Sequence, residues 1–324
     1  MADGRAVDGR RAILLLVNPS SGGKPAAPSS GEEHLEPEAL RELLAGSGLD
    51  VTLRTLREED DPRELAAQAV RDGRDVAVAG GDGTVRPTAT ALVGTDATLG
   101  VIPRGSWNNI ATGWGLPNDE RGAVELIRNG AARSVDVGLA WHPGAEAAES
   151  SDDAGDEAAP DDAVAFFEAA GVGLDAAGFG AAAAGTRYGA WRAMLAAWRA
   201  LRRRRTGMLL TVDARRMRTG APAITACNGP FYGFGFALAP EADPADGLLD
   251  LVVFSGMGTA EVLRHYLAVA RNRPRHEPRV QHIKARAIRV RGTRRTLPAH
   301  ADGESIGITP VVFAVRPGAL RVFA

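Results

Sequence analysis

The chain has 324 residues, 45% of them hydrophobic, and a formal net charge of −2 at neutral pH. That length and apolar content support a sizeable core and favour two domains over one. The small charge excludes a global field that draws the whole molecule to nucleic acid, and the single cysteine, Cys227, excludes an intrachain disulfide and favours a reducing, cytoplasmic setting.

In chain order, the apolar run at 12–17 follows basic residues but is too short for a signal peptide, so it predicts a buried first strand ending at Asn18-Pro19. Helical spacing at 38–45 is followed by strand-like alternation at 51–55 and a helix with proline at its start at 62–71. A buried strand at 76–79, a helix at 85–93 and a strand at 98–102 complete the series. Strands alternating with helices predict an α/β domain with a parallel sheet over 10–133, with ligands outside the carboxyl ends of its strands. From 134 onward short strand-like runs dominate, at 134–140, 164–170, 208–212, 223–227, 248–254, 288–291 and 311–315, separated by Gly, Pro and Asp. These predict a β-rich, sandwich-like domain over 134–309. The stretch 142–162, rich in Ala, Glu, Asp, Ser and Gly, predicts a disordered acidic loop, because it has too little apolar surface to offset ordering. No window approaches 18 consecutive apolar residues, so no transmembrane helix is expected.

Three loops at predicted strand ends carry phosphate-type chemistry. Gly80-Gly81-Asp82-Gly83-Thr84 directly follows the strand at 76–79. Its glycines permit positive φ and close approach to a phosphate, its N–H groups suit an anion at a helix start, and its aspartate suits Mg²⁺. The bland alternative is a tight strand–helix turn. Asn18-Pro19-Ser20-Ser21-Gly22-Gly23-Lys24 offers a second polar loop with one lysine, without the spacing of a Walker A motif. Pro103-Arg104-Gly105-Ser106-Trp107-Asn108-Asn109 adds a third.

Taken together, these segments resemble the catalytic domain of diacylglycerol kinases, sphingosine kinases and bacterial lipid kinases. That family carries an N-P-x-S-G-x-x-K loop, then G-G-D-G-T, then P-x-G-[TS]-x-N. The second half resembles it as well, in Val135-Asp136-Val137-Gly138, in Glu168-Ala169-Ala170-Gly171-Val172-Gly173-Leu174-Asp175-Ala176, in Ala239-Pro240 with Ala245-Asp246-Gly247-Leu248-Leu249-Asp250, and in Ala301-Asp302-Gly303-Glu304. The resemblance spans roughly 12–324. It implies an NAD kinase/diacylglycerol kinase-like α/β domain, a C-terminal β-sandwich, and a final segment, 310–324, that returns to the first domain. It also implies ATP and Mg²⁺ as cofactors and a lipid alcohol as substrate.

The same resemblance assigns roles. Asn18, Pro19, Ser20, Gly22, Lys24, Gly80, Gly81, Gly83, Thr84, Gly105, Ser106 and Asn108 would hold the nucleotide. Asp82 would sit at its phosphates and Mg²⁺, Glu304 would take the proton from the substrate hydroxyl, and Asp302 would support Glu304. Asp136, Asp246 and Leu248 would join an acidic Mg²⁺ network. Two departures stand out: Asn109 replaces a common acidic residue, and Arg104 and Trp107 within that loop predict a reshaped nucleotide or substrate edge.

The stretch 185–205 places Tyr188, Trp191, Leu195, Trp198 and Leu201 at helical spacing beside Arg187, Arg192, Arg199 and 202–205. An aromatic face with arginine flanks suits a lipid interface, which predicts peripheral membrane contact through Arg187, Trp191, Arg192 and Trp198. The alternatives are a helix packed on the protein's own core, or Arg187 and Arg192 reaching the nucleotide phosphates, as the resemblance allows. No nucleic-acid partner is expected, and a homodimer is compatible with the sequence. The rival functions are an NAD kinase-like enzyme and a catalytically impaired nucleotide- or lipid-binding regulator.

Overall fold

A computed structural model describes residues 6–7, 10–21, 34–144, 154, 158–173, 207–233, 235–270 and 277–324. The chain divides into two compact units, Met1–Val135 with Gly318–Ala324, and Asp136–Pro317.

The first unit opens with β1 (Ala6–Val7) and β2 (Arg10–Val17), followed by α1 (Pro37–Ala45), β3 (Asp50–Thr55), α2 (Pro62–Arg71) and β4 (Asp75–Gly80). It continues with α3 (Asp82–Leu92), β5 (Thr98–Pro103), α4 (Asn109–Gly113) and α5 (Glu120–Asn129). β2 pairs in parallel with β3 and β4, and β4 pairs in parallel with β5. β4 and β5 are buried at every position, as strands covered on both faces of a parallel sheet must be. Ile13, Leu15 and Val17 pack with Leu40, Leu44, Ala77, Ala79 and Ile102 into one core. Beneath it Asp75 is fully buried, ion-paired to Arg11 and accepting the Thr98 N–H at 2.7 Å. α2 starts on an Asp61 cap whose side chain accepts the Arg63 N–H, with Pro62 pre-set for the first turn.

β6 (Ala132–Trp141) leads into the second unit. There follow β7 (Val164–Phe166), β8 (Ala169–Gly173), β9 (Met208–Val212), β10 (Arg215–Thr219), β11 (Ala223–Cys227), β12 (Phe231–Tyr232), β13 (Phe236–Ala237) and β14 (Leu249–Phe254). Next come α6 (Thr259–Ala270), β15 (Val280–Ala285), β16 (Ala287–Gly292), β17 (Pro298–Ala301), β18 (Glu304–Ile308) and β19 (Val311–Phe323). One antiparallel sheet runs β15-β14-β11-β8-β17-β18. A second is formed by β10, β9, β16 and the first part of β19. Inward residues of both sheets, among them Val172, Ile224, Leu251, Leu210, Ile288 and Phe313, share one core. The last residues of β19 belong to the first unit, where Arg321 and Val322 pair in parallel with Thr98 and Leu99 of β5.

Several elements depart from the sequence reading. The helix expected at 85–93 begins at Asp82, because Gly81 supplies the N-cap. The strand expected at 164–170 breaks after Phe166, where the next three backbone N–H groups turn to a carboxylate described below. The strand expected at 311–315 runs on to Phe323. α5, α6, β10, β15, β17 and β18 had no counterpart in the pattern. Within the acidic loop 142–162, residues 145–153 and 155–157 lie outside the described ones. Ala154 is fully buried and donates its N–H to the Asp213 carbonyl at 3.1 Å, so the stretch has at least one fixed point.

Candidate active site

In the first unit the three predicted loops leave the carboxyl ends of β2, β4 and β5. Asn18 ties the first to the second: its backbone N–H donates to the Ala79 carbonyl at 2.9 Å and its side-chain amide to Thr84 Oγ1 at 2.8 Å. Its Oδ1 accepts the Ser20 N–H at 3.0 Å, while Pro19 and Ser20 stay exposed. Gly22 and Lys24 lie outside the described residues. The second and third loops touch backbone to backbone. A Cβ on Gly81 would stand 2.9 Å from Gly105 Cα, and a Cβ on Gly105 would stand 2.6 Å from Gly81 Cα. Arg104 N–H closes the contact on the Gly80 carbonyl at 2.9 Å.

The positive φ that the glycines of Gly80-Gly81-Asp82-Gly83-Thr84 permit is not used. None of its glycines is among the positive-φ residues, and Gly81 has φ −92°. Gly80 and Gly81 are required by close approach instead, Gly80 against the Thr84 side chain and Gly81 against Gly105. The left-handed position in this region is Asn108, at φ 48°, whose side chain brackets Gly105 by accepting its N–H at 2.8 Å and donating to its carbonyl at 3.0 Å. Ser106 is exposed beside it, as is Trp107 at 48%.

Asp82 opens α3 and caps α4: Oδ2 accepts the Asn109 N–H and Oδ1 the Ile110 N–H, both at 3.1 Å. Burial pushes its carboxyl above the usual carboxylate range, against the lowering effect of those two N–H groups. Arg104 does not reshape a ligand edge. It is 5% exposed and turned inward, with Nε 2.8 Å from Glu120 Oε1 and Nη2 on the Leu35 carbonyl.

In the second unit, Asp302-Gly303 forms the two-residue turn between β17 and β18, with φ 45° and 79°, and pairs Ala301 with Glu304. Positive φ at both central residues is the geometry that Asp-Gly favours in hairpins. The Asp302 carboxylate accepts three backbone N–H groups, from Phe167 at 2.8 Å, Glu168 at 2.9 Å and Ala169 at 3.0 Å. Its own N–H donates to the Ala169 carbonyl at 2.8 Å. Asp302 is therefore an anchor for the hairpin, and Glu304 stands exposed at the start of β18.

Asp136 is 3% exposed and accepts the Gly247 N–H at 2.7 Å. Asp246 accepts the Leu248 N–H at 3.0 Å and pairs with Lys284 at 2.5 Å. Among the described residues no group of three or more His, Cys, Asp or Glu side chains is placed to hold a metal ion. Arg187, Trp191, Arg192 and Trp198 lie outside the described residues. The sequence reading passed over Asn228, whose amide donates to the carbonyls of Asp136 and Phe167 at 3.1 and 3.3 Å. It also left Tyr232 and His300 unassigned, and these are buried, stacked at 5.7 Å and joined through the Tyr232 hydroxyl and His300 Nε2 at 3.0 Å. The polar Asn228 after the apolar run 223–227, and the histidine two residues before Asp302, were the available signals.

Two family models match this chain: "Diacylglycerol kinase catalytic domain" over residues 12–140 and "YegS C-terminal NAD kinase beta sandwich-like domain" over 169–324. Residues 12–140 therefore carry a diacylglycerol kinase catalytic domain, and 169–324 a C-terminal domain of the YegS type. It is 27% identical over 319 residues to a protein named "Diacylglycerol kinase" from Mycobacterium tuberculosis (strain ATCC 25618 / H37Rv), covering 96% of this chain and 94% of that one. It is 35% identical over 129 residues to a "Probable lipid kinase YegS-like" from Enterobacter sp. (strain 638), covering 38% of this chain and 40% of the relative. A crystal structure of a diacylglycerol kinase from Bacillus anthracis str. Sterne shares the fold, with TM-score 0.67 at 18% identity over 97% of this chain and 96% of that one. With these matches in both halves, the chain is an ATP-dependent phosphotransferase of the lipid kinase type. No helix among its described residues is long and apolar enough to cross a membrane.

Proposed function

We propose that the chain transfers the γ-phosphate of ATP to a hydroxyl of diacylglycerol or a related lipid alcohol. The observation that carries this reading is the exposed Glu304 carboxylate on a two-residue hairpin that Asp302 fixes through three backbone N–H groups. A general base needs such an arrangement: a carboxylate open to substrate on a rigid support. The substrate oxygen forms a bond to the γ-phosphorus as the bond from that phosphorus to the β–γ bridging oxygen breaks. ADP leaves, and the hydroxyl proton passes to Glu304.

The first unit supports the nucleotide end of the reaction. The start of α3 turns its helix dipole to an anion, and the loops that Asn18 and Gly105 hold against it flank that turn. Magnesium bound with the nucleotide would supply charge neutralisation at its phosphates. Asp82 would fit that role: with its own N–H it accepts three backbone N–H groups, which leaves about one of a carboxylate's four acceptor sites for a further partner. The aromatic and arginine-rich stretch 185–205 supports delivery of the lipid from a membrane surface, on the sequence alone.

The test is a radiolabelled-ATP assay on the purified chain with Mg²⁺, a panel of lipid alcohols and, beside them, NAD. Labelled lipid that vanishes in Glu304→Gln is the expected result. Robust NADP formation without labelled lipid would give the NAD kinase reading instead, and bound ATP without any turnover would give the regulator.

A further inference from the structure

The family resemblance places a structural divalent cation at the turn that carries Asp246 and Leu248. The donors there do not suit one as they stand. Asp246 Oδ1 is taken by the Leu248 N–H at 3.0 Å and Oδ2 by the Lys284 ammonium at 2.5 Å. What sets this carboxylate apart is charge: an ammonium already stands at Oδ2, in the place a divalent ion would take, and the two cations would repel each other. The ammonium also stands 3.7 Å from Asp250 Oδ2, an atom that is buried and makes no hydrogen bond. Asp250 itself is only 4% exposed, so its charge requires a counterion close by. Strand pairing fixes that counterion, since Lys284 of β15 lies directly opposite Asp250 of β14.

The residue type is itself informative. Arginine supplies 36 of the 38 basic residues in this chain, and Lys284 is one of two lysines. A guanidinium is a broad planar fork, whereas an ammonium is a compact point charge with three donors and so resembles a metal ion more closely. We infer that Lys284 is the resident cation of the turn from Asp243 to Asp250, and that this domain requires no structural divalent ion. The turn it steadies also presents the Gly247 N–H to Asp136, at 2.7 Å, so the charge of Lys284 supports the setting of Asp136. The inference concerns stability and does not depend on which substrate the enzyme phosphorylates.

The test is thermal melting of the nucleotide-free full chain, in EDTA and in millimolar MgCl₂ or CaCl₂. Wild type is expected to melt within about 1 °C in either condition, and Lys284→Met to melt roughly 2–6 °C lower in EDTA. Divalent salt should return part of that loss, because the variant leaves two carboxylates with an empty place between them. Should Lys284→Met fail to fold, the double variant Asp250→Asn/Lys284→Met removes the buried charge together with its counterion and is expected to melt near wild type. Three results would each overturn the inference: a divalent-dependent rise in wild type that Asp246→Asn abolishes, a Lys284→Met protein that melts like wild type in EDTA, or no recovery of that variant in divalent salt. Because melting needs no turnover, any of these leaves the kinase reading intact.

Discussion

The Asp302 carboxylate accepts the Glu168 backbone N–H at 2.9 Å, and that bond joins the start of β8 to the hairpin that presents Glu304. With the Phe167 and Ala169 N–H groups on the same carboxylate, three donors depend on one ionised acceptor. On the proposed reaction the two carboxylates, separated by one glycine, do different work, and their variants should fail differently. Asp302→Asn loses an acceptor oxygen facing a partly buried N–H and should cost about 2–3 kcal/mol of stability. Glu304→Gln should melt within about 1 °C of wild type and lose on the order of 10²-fold or more in kcat. Paired melting curves and single-turnover rates separate the two.

The contact between Gly81 and Gly105 leaves no room for a methyl group on either side. Gly81→Ala or Gly105→Ala must push the second and third loops apart. Overpacking of this kind costs about 1–3 kcal/mol, and ATP affinity should fall by roughly 10-fold or more as the loops separate. Gly83 is the internal control: a Cβ there meets nothing within 4 Å and the residue sits in α3. Gly83→Ala should be neutral to stabilising, by up to about 1 kcal/mol. Urea unfolding and nucleotide titration of the three variants would show whether the motif's glycines are needed for spacing or for φ.

Asp82 supplies a pH signature. Its carboxyl is raised by burial, so the folded chain binds this proton more tightly than the unfolded chain does. The contribution of Asp82 to folding is then most favourable at low pH. It falls as pH rises from the ordinary carboxylate range through the raised folded value. Nucleotide-free Asp82→Asn removes that slope, whatever constant offset it introduces at the two N–H groups. The stability difference between variant and wild type should therefore drift in the variant's favour as pH rises across that window. Parallel lines in urea titrations at several pH values would contradict the assignment.

In the parallel half β3 was legible by its alternation, and β2, β4 and β5 because they are short apolar runs. In the second half, 208–212 and 223–227 were found at their observed bounds for the same reason. β10 escaped notice because Arg215, Arg216 and Arg218 give it no apolar alternation; β9 supplies its pairing. α5 was passed over although Asp119 caps it, Ala123, Val124 and Ile127 face the core and Gly130 ends it in the left-handed region. At the candidate site, the placement of Asp82 after a glycine-rich strand end and of Glu304 after an Asp-Gly turn was readable from local motifs. That Asp302 supports Glu304 was expected, but not how, because its partners are backbone groups 133–135 residues away that no side-chain pattern encodes.

Arg104 shows how a residue inside a ligand-type motif can belong to the core. Its guanidinium is 5% exposed and meets Glu120, whose side chain is 10% exposed. Glu120 in turn accepts the Leu35 N–H at 2.8 Å and contacts His34 Nδ1 at 2.7 Å, so the pair fastens the residues before α1 to the start of α5. Removing one partner of such a pair leaves a charge with little access to water, and Arg104→Ala should cost about 3–5 kcal/mol. Arg104→Lys keeps the charge but not the fork that serves Glu120 and the Leu35 carbonyl together, and it should recover only part of the loss. Arg104→Met/Glu120→Met removes both charges and should be less destabilised than either single variant, as a double-mutant cycle in urea would record. If Arg104 instead served the nucleotide, Arg104→Ala would weaken ATP binding while leaving the unfolding curve in place.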